Sequence, residues 1–139
     1  MKTKFQCPHC LAHLRVRENL IFRVRTSTFQ RGMLLLNPEL GNYSYISAPD
    51  LKFDKGDKLE FFCPICCEDL SVKSINPNLI NIRMNDGEKE YDVYFSSVVG
   101  EHLTFKIHQH DIVERFGEDY SAYVNYFTQK FRTQIKKSE

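Results

Sequence analysis

Cys7-Pro8-His9-Cys10 and Cys63-Pro64-Ile65-Cys66 decide how the rest of the chain reads. Each is a Cys-Pro-x-Cys turn, and together they supply four thiols, the ligand number of a closed tetrahedral metal site. Proline in second position holds φ near the value a β-turn needs there, so both thiols of a pair sit on one side of a tight bend. The similarity runs past the cysteines. Setting Cys7 on Cys63 places Phe5 on Phe61, Leu14 on Leu70, Val16 on Val72 and Arg17 on Lys73. After a three-residue gap, Asn19-Leu20-Ile21 falls on Asn78-Leu79-Ile80. The pattern describes two copies of one unit: a strand, a knuckle, a return strand and a further strand. Neither copy closes a site or a core alone.

Working outward, 139 residues suffice for one domain with a real core. A hydrophobic fraction of 42% and a charged fraction of 27% are ordinary for a soluble globular protein. No apolar run approaches the length of a membrane span, and the polar, basic stretch before Cys7 leaves no room for a signal-peptide core. The expectation is a cytoplasmic protein with reduced cysteines, where paired CxxC turns hold metal more often than they form disulfides. Charge is unevenly spread. Residues 1–36 hold seven Lys or Arg against one Glu, whereas residues 85–119 hold nine acidic against three basic residues. Such asymmetry permits a nucleic-acid surface at one end or neutralisation within the molecule.

Period-two alternation dominates the first hundred residues. Leu14 to Arg17 and Leu20 to Arg25 read as a hairpin turned at Glu18-Asn19, with Leu14, Val16, Phe22 and Val24 inward and Arg15, Arg17, Arg23 and Arg25 outward. Residues 26–32 read as a loop, Met33 to Leu36 as a buried strand and Tyr43 to Ile46 as a weaker one. Residues 11–62 separate the knuckles, far more than the 15–20 or so of a compact zinc ribbon. The expected architecture is therefore mainly β: an enlarged zinc-ribbon-like sheet domain with two pseudo-repeated knuckle units and one C-terminal amphipathic helix. Unit one spans 3–25, inserted strands 26–58, unit two 59–84, further strands 90–108 and the helix 118–133. Tyr120, Tyr123, Val124, Phe127 and Phe131 form the helix's apolar stripe, either core or a homodimer interface. Asp111 to Phe116 reads as a short helix of its own.

Cys7, Cys10, Cys63 and Cys66 are the expected ligands of one Zn(2+) per chain, with iron the other metal that takes tetrahedral sulfur. Cys67 and His13 compete on spacing, but the repeat sets Cys67 opposite Leu11, an apolar position, and His13 opposite Asp69, which argues against both; Cys67 is expected to be a small buried hydrophobe. His9 is expected at the solvent-exposed tip of its turn. CPHC is also the motif of thiol oxidoreductases that carry it at a helix N-terminus, but here strand-like residues follow it and a second CxxC stands ready. His102, His108 and His110 are spread over some 20 Å of strand and read as a surface cluster. The arginine hairpin, Arg15, Arg17, Arg23 and Arg25, is the candidate nucleic-acid surface.

Paired CPxC turns some fifty residues apart, with Gly56-Asp57-Lys58-Leu59-Glu60-Phe61-Phe62 leading into the second, resemble the bacterial CpXC domains over residues 5–70. The resemblance implies Cys7, Cys10, Cys63 and Cys66 as metal ligands. It departs from the pattern at Leu11 and Cys67, where such knuckles commonly carry glycine. Function is expected to be non-enzymatic: a zinc-stabilised binding or adaptor module with a protein partner. A nucleic-acid-binding regulator and a thiol redox protein are the alternatives.

Overall fold

A computed structural model describes residues 3–127. The described residues are mainly β, with eleven strands in two antiparallel sheets. β1 is Lys4–Gln6, β2 Arg15–Val16, β3 Asn19–Arg25, β4 Arg31–Leu36, β5 Tyr45–Ser47 and β6 Glu60–Phe62. The series continues with β7 Ser71–Val72, β8 Asn76–Asn85, β9 Glu90–Ser96, β10 Thr104–His108 and β11 Asp111–Phe116. Sheet I runs β2-β3-β4-β5, with β6 also on β3; sheet II runs β1-β8-β9-β10-β11, with β7 also on β8.

The strand that enters each knuckle crosses to the other unit's sheet. β1 pairs with β8 as Lys4↔Asn85, Phe5↔Met84 and Gln6↔Arg83. β6 pairs with β3 as Glu60↔Arg25, Phe61↔Val24 and Phe62↔Arg23, the same register with the two halves exchanged. The halves are thus interlocked, and neither sheet is complete without a strand from the other.

The repeat extends further than the sequence suggests. Leu34↔Ser47, Leu35↔Ile46 and Leu36↔Tyr45 in the first half match Val93↔Lys106, Tyr94↔Phe105 and Phe95↔Thr104 in the second. Residues 33–46 are therefore no insertion in a ribbon; β4 and β5 are the first-half counterparts of β9 and β10. Gly41 and Gly100 occupy equivalent loop positions, with φ of 89° and 85°. Equivalent Tyr43 and His102 stack on one another, centroids 4.5 Å apart and planes 6° from parallel, as residues flanking a pseudo-twofold axis would.

The alignment of units also shifts. Ile21 N–H donates to Leu14 O and Asn81 N–H to Leu70 O, so Leu20 falls on Ile80 rather than Leu79. The sequence hides this because both Leu79 and Ile80 are buried, on opposite faces of a doubly covered strand. Between the sheets lies one core, in which Phe5, Leu14, Phe22 and Val24 meet Phe61, Leu70, Ile80, Ile82 and Val93. Sheet II's outer face carries Leu79, Tyr94, Phe105 and Ile107, joined by Leu103 just before β10 and covered by Tyr123 and Phe127.

Several expectations need correction. The first hairpin turns at Arg17-Glu18, with Arg17 at φ 56°, and Val16 is 52% exposed because β2 ends at the sheet margin. Arg31 and Gly32 belong to β4, not to a loop, and Met33 is exposed where a buried strand was expected. Asp111–Phe116 is a strand, since pairing with β10 satisfies its backbone as a lone short helix could not. The expected C-terminal helix opens as a 3-10 turn at Tyr120–Ala122, followed by helical residues 124–127. Phe131 and the rest of the span to 133 lie outside the described residues.

Candidate metal centre

Both knuckles fold by the same bonds. In the first, Leu11 N–H donates to Cys7 O at 2.9 Å and Cys7 N–H to Ala12 O at 3.0 Å. In the second, Cys67 N–H donates to Cys63 O at 3.0 Å and Cys63 N–H to Glu68 O at 3.1 Å. Leu11 and Cys67 both sit at φ 63°, so the left-handed turn forms without glycine. Backbone amides are aimed at sulfur: His9 N–H to Cys7 Sγ at 3.3 Å, Ile65 N–H to Cys63 Sγ at 3.3 Å and Cys66 N–H to Cys63 Sγ at 3.4 Å. Charge-assisted bonds of this kind stabilise thiolates.

The swapped strands bring the knuckles face to face. All four Sγ atoms of Cys7, Cys10, Cys63 and Cys66 lie within 4.8 Å of one another. Across the pseudo-axis, Cys7 Sγ is 3.8 Å from Cys66 Sγ and Cys10 Sγ is 3.7 Å from Cys63 Sγ. A disulfide needs about 2.0 Å. A tetrahedron of metal–sulfur bonds of about 2.3 Å has edges of about 3.8 Å. The spacing fits a shared metal ion and not a disulfide. Cys7 and Cys63 are fully buried against the core, whereas Cys10 is exposed and Cys66 half-buried, so the cluster closes one end of the core at the surface.

The four sulfurs perturb one another. Burial pushes the Cys7 thiol up, against amides of Cys10 and His9 that lower it. Burial also opposes ionisation of Cys63, but the Cys66 and Ile65 amides, helped by the thiols of Cys10 and Cys7, bring it down to about 7. An amide from Glu68 lowers Cys66, yet burial and the Cys10, Cys63 and Cys7 thiols push it up to about 12. Four thiolates this close would repel one another, and a bound cation would offset that repulsion.

Other candidates fall outside this cluster. Cys67 is exposed rather than buried, its sulfur 3.9 Å from Arg23 Nη1. The left-handed turn directs it away from the core. His9 reaches across to the other knuckle, its Nε2 3.2 Å from Asp69 O. His13 pairs with Gln6 in an isolated bridge. His102 stacks on Tyr43 and bonds Glu118 at 3.0 Å, while His108 Nδ1 lies 3.1 Å from Glu90 O, so these histidines do not converge.

The arginines divide. Arg15 folds back, its Nε donating to Arg17 O and its Nη1 to Thr3 O. Arg23 and Arg25 share the outer face of sheet I, where Arg25 pairs with Glu60 and lies over Phe29 and Phe62. Arg31, paired in register with Arg25, joins them. Arg31-x-Met33-x-Leu35 alternation was the available signal for it, obscured by Gly32. No family model matches this chain, and neither does any curated protein or solved structure. No helix among the described residues is long and apolar enough to cross a membrane.

Proposed function

We propose that the chain is a non-enzymatic binding module whose two interlocked halves are clamped by one structural zinc ion on Cys7, Cys10, Cys63 and Cys66. One observation carries this reading: four sulfurs from two equivalent knuckles converge at the spacing of a tetrahedral thiolate site. Four protein thiolates leave no open coordination position, so the ion's role is to join the halves rather than to activate water. Two independent redox CxxC pairs would not require the knuckles to meet. The resemblance to CpXC domains, a cytoplasmic location and a protein partner belong to the same proposal.

Elemental analysis of purified protein is expected to give one zinc per chain. Iron in its place would transfer the site to rubredoxin-like chemistry. Cobalt-substituted protein should show thiolate-to-metal charge-transfer absorption that disappears in Cys7→Ser. Metal-free protein with native structure would end the reading.

A further inference from the structure

Equivalent faces of the two sheets are treated differently. On sheet II, β11 pairs with β10, and the segment that follows lays Tyr120, Tyr123 and Phe127 over Tyr94 and Phe105. The first-half counterparts of Tyr94 and Phe105 are Leu35 and Ile46. Phe105 is fully buried, whereas Ile46 is 58% exposed and Met33 beside it 42%. Among the described residues no strand pairs with the free edge of β5, and Ile46 and Met33 stay open on this face. At its other end Arg23, Arg25 and Arg31 border a groove of about 520 Å³ with Met33 and Phe62. Glu60 neutralises Arg25, but neither Arg23 nor Arg31 has a carboxylate partner among the described residues.

We propose that the outer face of sheet I is a docking surface for an acidic, amphipathic helical segment of a partner protein, seated as segment 120–127 is seated on sheet II. This rests on the reading of the chain as a binding module. The molecule itself shows what covers such a face: a short aromatic segment. Leu35, Ile46 and Met33 accept the apolar stripe, and Arg23 and Arg31 face its carboxylates, the helix-in-groove mode of recognition. The chain's own last twelve residues carry four Lys or Arg against one Glu, the wrong sign for this surface. Single-stranded nucleic acid fits less well. Base stacking needs aromatic platforms, whereas the exposed centre of this face is the aliphatic Ile46 and the thioether Met33, and the exposed Phe29 ring lies at its rim under the Arg25 guanidinium.

A displayed library of peptides of about 15 residues, four helical turns, panned on metal-loaded protein tests the proposal. Recovered peptides should carry apolar residues at three- and four-residue spacing with Asp or Glu between them. Ile46→Asp and Met33→Asp should each weaken the best peptide by about tenfold or more. Arg23→Glu with Arg31→Glu should weaken it as well and transfer preference to a lysine-substituted version. The proposal is overturned by recovery of no peptide, by peptides that bind Ile46→Asp as well as wild type, or by tight oligouridylate binding lost in the double glutamate variant. A wild-type dimer dissolved by Ile46→Asp would overturn it too, making the occupant a second copy. Metal is assayed on the same preparations: full metal without peptide binding sinks the docking surface alone, and absence of metal from wild type sinks the module reading.

Discussion

Gly117 ends β11 and turns the chain toward the segment that covers sheet II. Its φ is +89°, and an added Cβ would lie 2.2 Å from His102 O and 2.6 Å from the Tyr43 hydroxyl oxygen. Gly56, at φ +95°, would place a Cβ in open space, with nothing within 4 Å. Alanine at either position meets the same conformational penalty, about 1–2 kcal/mol for a left-handed L-residue, less a few tenths for the stiffer unfolded chain. Gly56→Ala should therefore destabilise by about 1 kcal/mol. At Gly117 the obstructing carbonyl is held, because His102 O accepts the Asp119 N–H at 2.9 Å. Moving it adds about 1–3 kcal/mol of overpacking and about 1 kcal/mol of hydrogen bond, so Gly117→Ala should lose about 3–5 kcal/mol in all. Urea unfolding of metal-saturated protein measures both. Gly117→Ala should also part the Tyr43–His102 stack, read from ring chemical shifts. Equal losses in the two variants, within about 0.5 kcal/mol, would refute the close packing around Gly117.

Phe127 is fully buried against Tyr94 and Phe105, at centroid distances of 4.9 and 4.6 Å. Phe127→Ala should destabilise by about 3–5 kcal/mol without changing sedimentation; a changed oligomeric state with unchanged stability would contradict that placement. Leu11 is half exposed in the left-handed region. Leu11→Gly should raise stability by up to about 1 kcal/mol, the relieved strain less glycine's entropy, and a lowered midpoint would count against the knuckle geometry. Burial, and secondarily the Asp92 charge, push the Tyr94 phenol well above its usual range. The unfolded chain ionises there near pH 10 while the folded one stays neutral, so stability should fall as pH climbs past about 10. Tyr94→Phe should flatten that alkaline loss, and an unchanged profile would contradict it.

The knuckles and the β class were legible because cysteine spacing and period-two alternation are local signals. Phe5 on Phe61 and Leu14 on Leu70 mark core positions that keep their roles in both units. What was not legible depended on pairing between distant segments. Nothing in Lys4-Phe5-Gln6 announces that it joins β8 rather than its own unit's β3. The match of β4 and β5 with β9 and β10 is one of register, not residue identity: Leu35 stands where Tyr94 does, and Ile46 where Phe105 does. Asp111–Phe116 lacks clean alternation because, as an edge strand, it is mostly exposed. The placement of the arginines was only partly legible for a similar reason. Alternation assigns faces along one strand, but Arg15 folds back onto backbone carbonyls, and Arg31 comes from a strand that Gly32 disguised.

The shared metal is tested most directly by metal stoichiometry in two neighbouring variants, Cys66→Ser and Cys67→Ser. Their sulfurs belong to adjacent residues, yet only Cys66 faces the other knuckle. Elemental analysis should give one zinc per chain for wild type and for Cys67→Ser, and little or none for Cys66→Ser. Loss of the metal should also loosen the halves, since structural zinc contributes on the order of 10–16 kcal/mol of apparent binding energy in small peptides. Metal retained in Cys66→Ser and lost in Cys67→Ser would contradict the account at its centre.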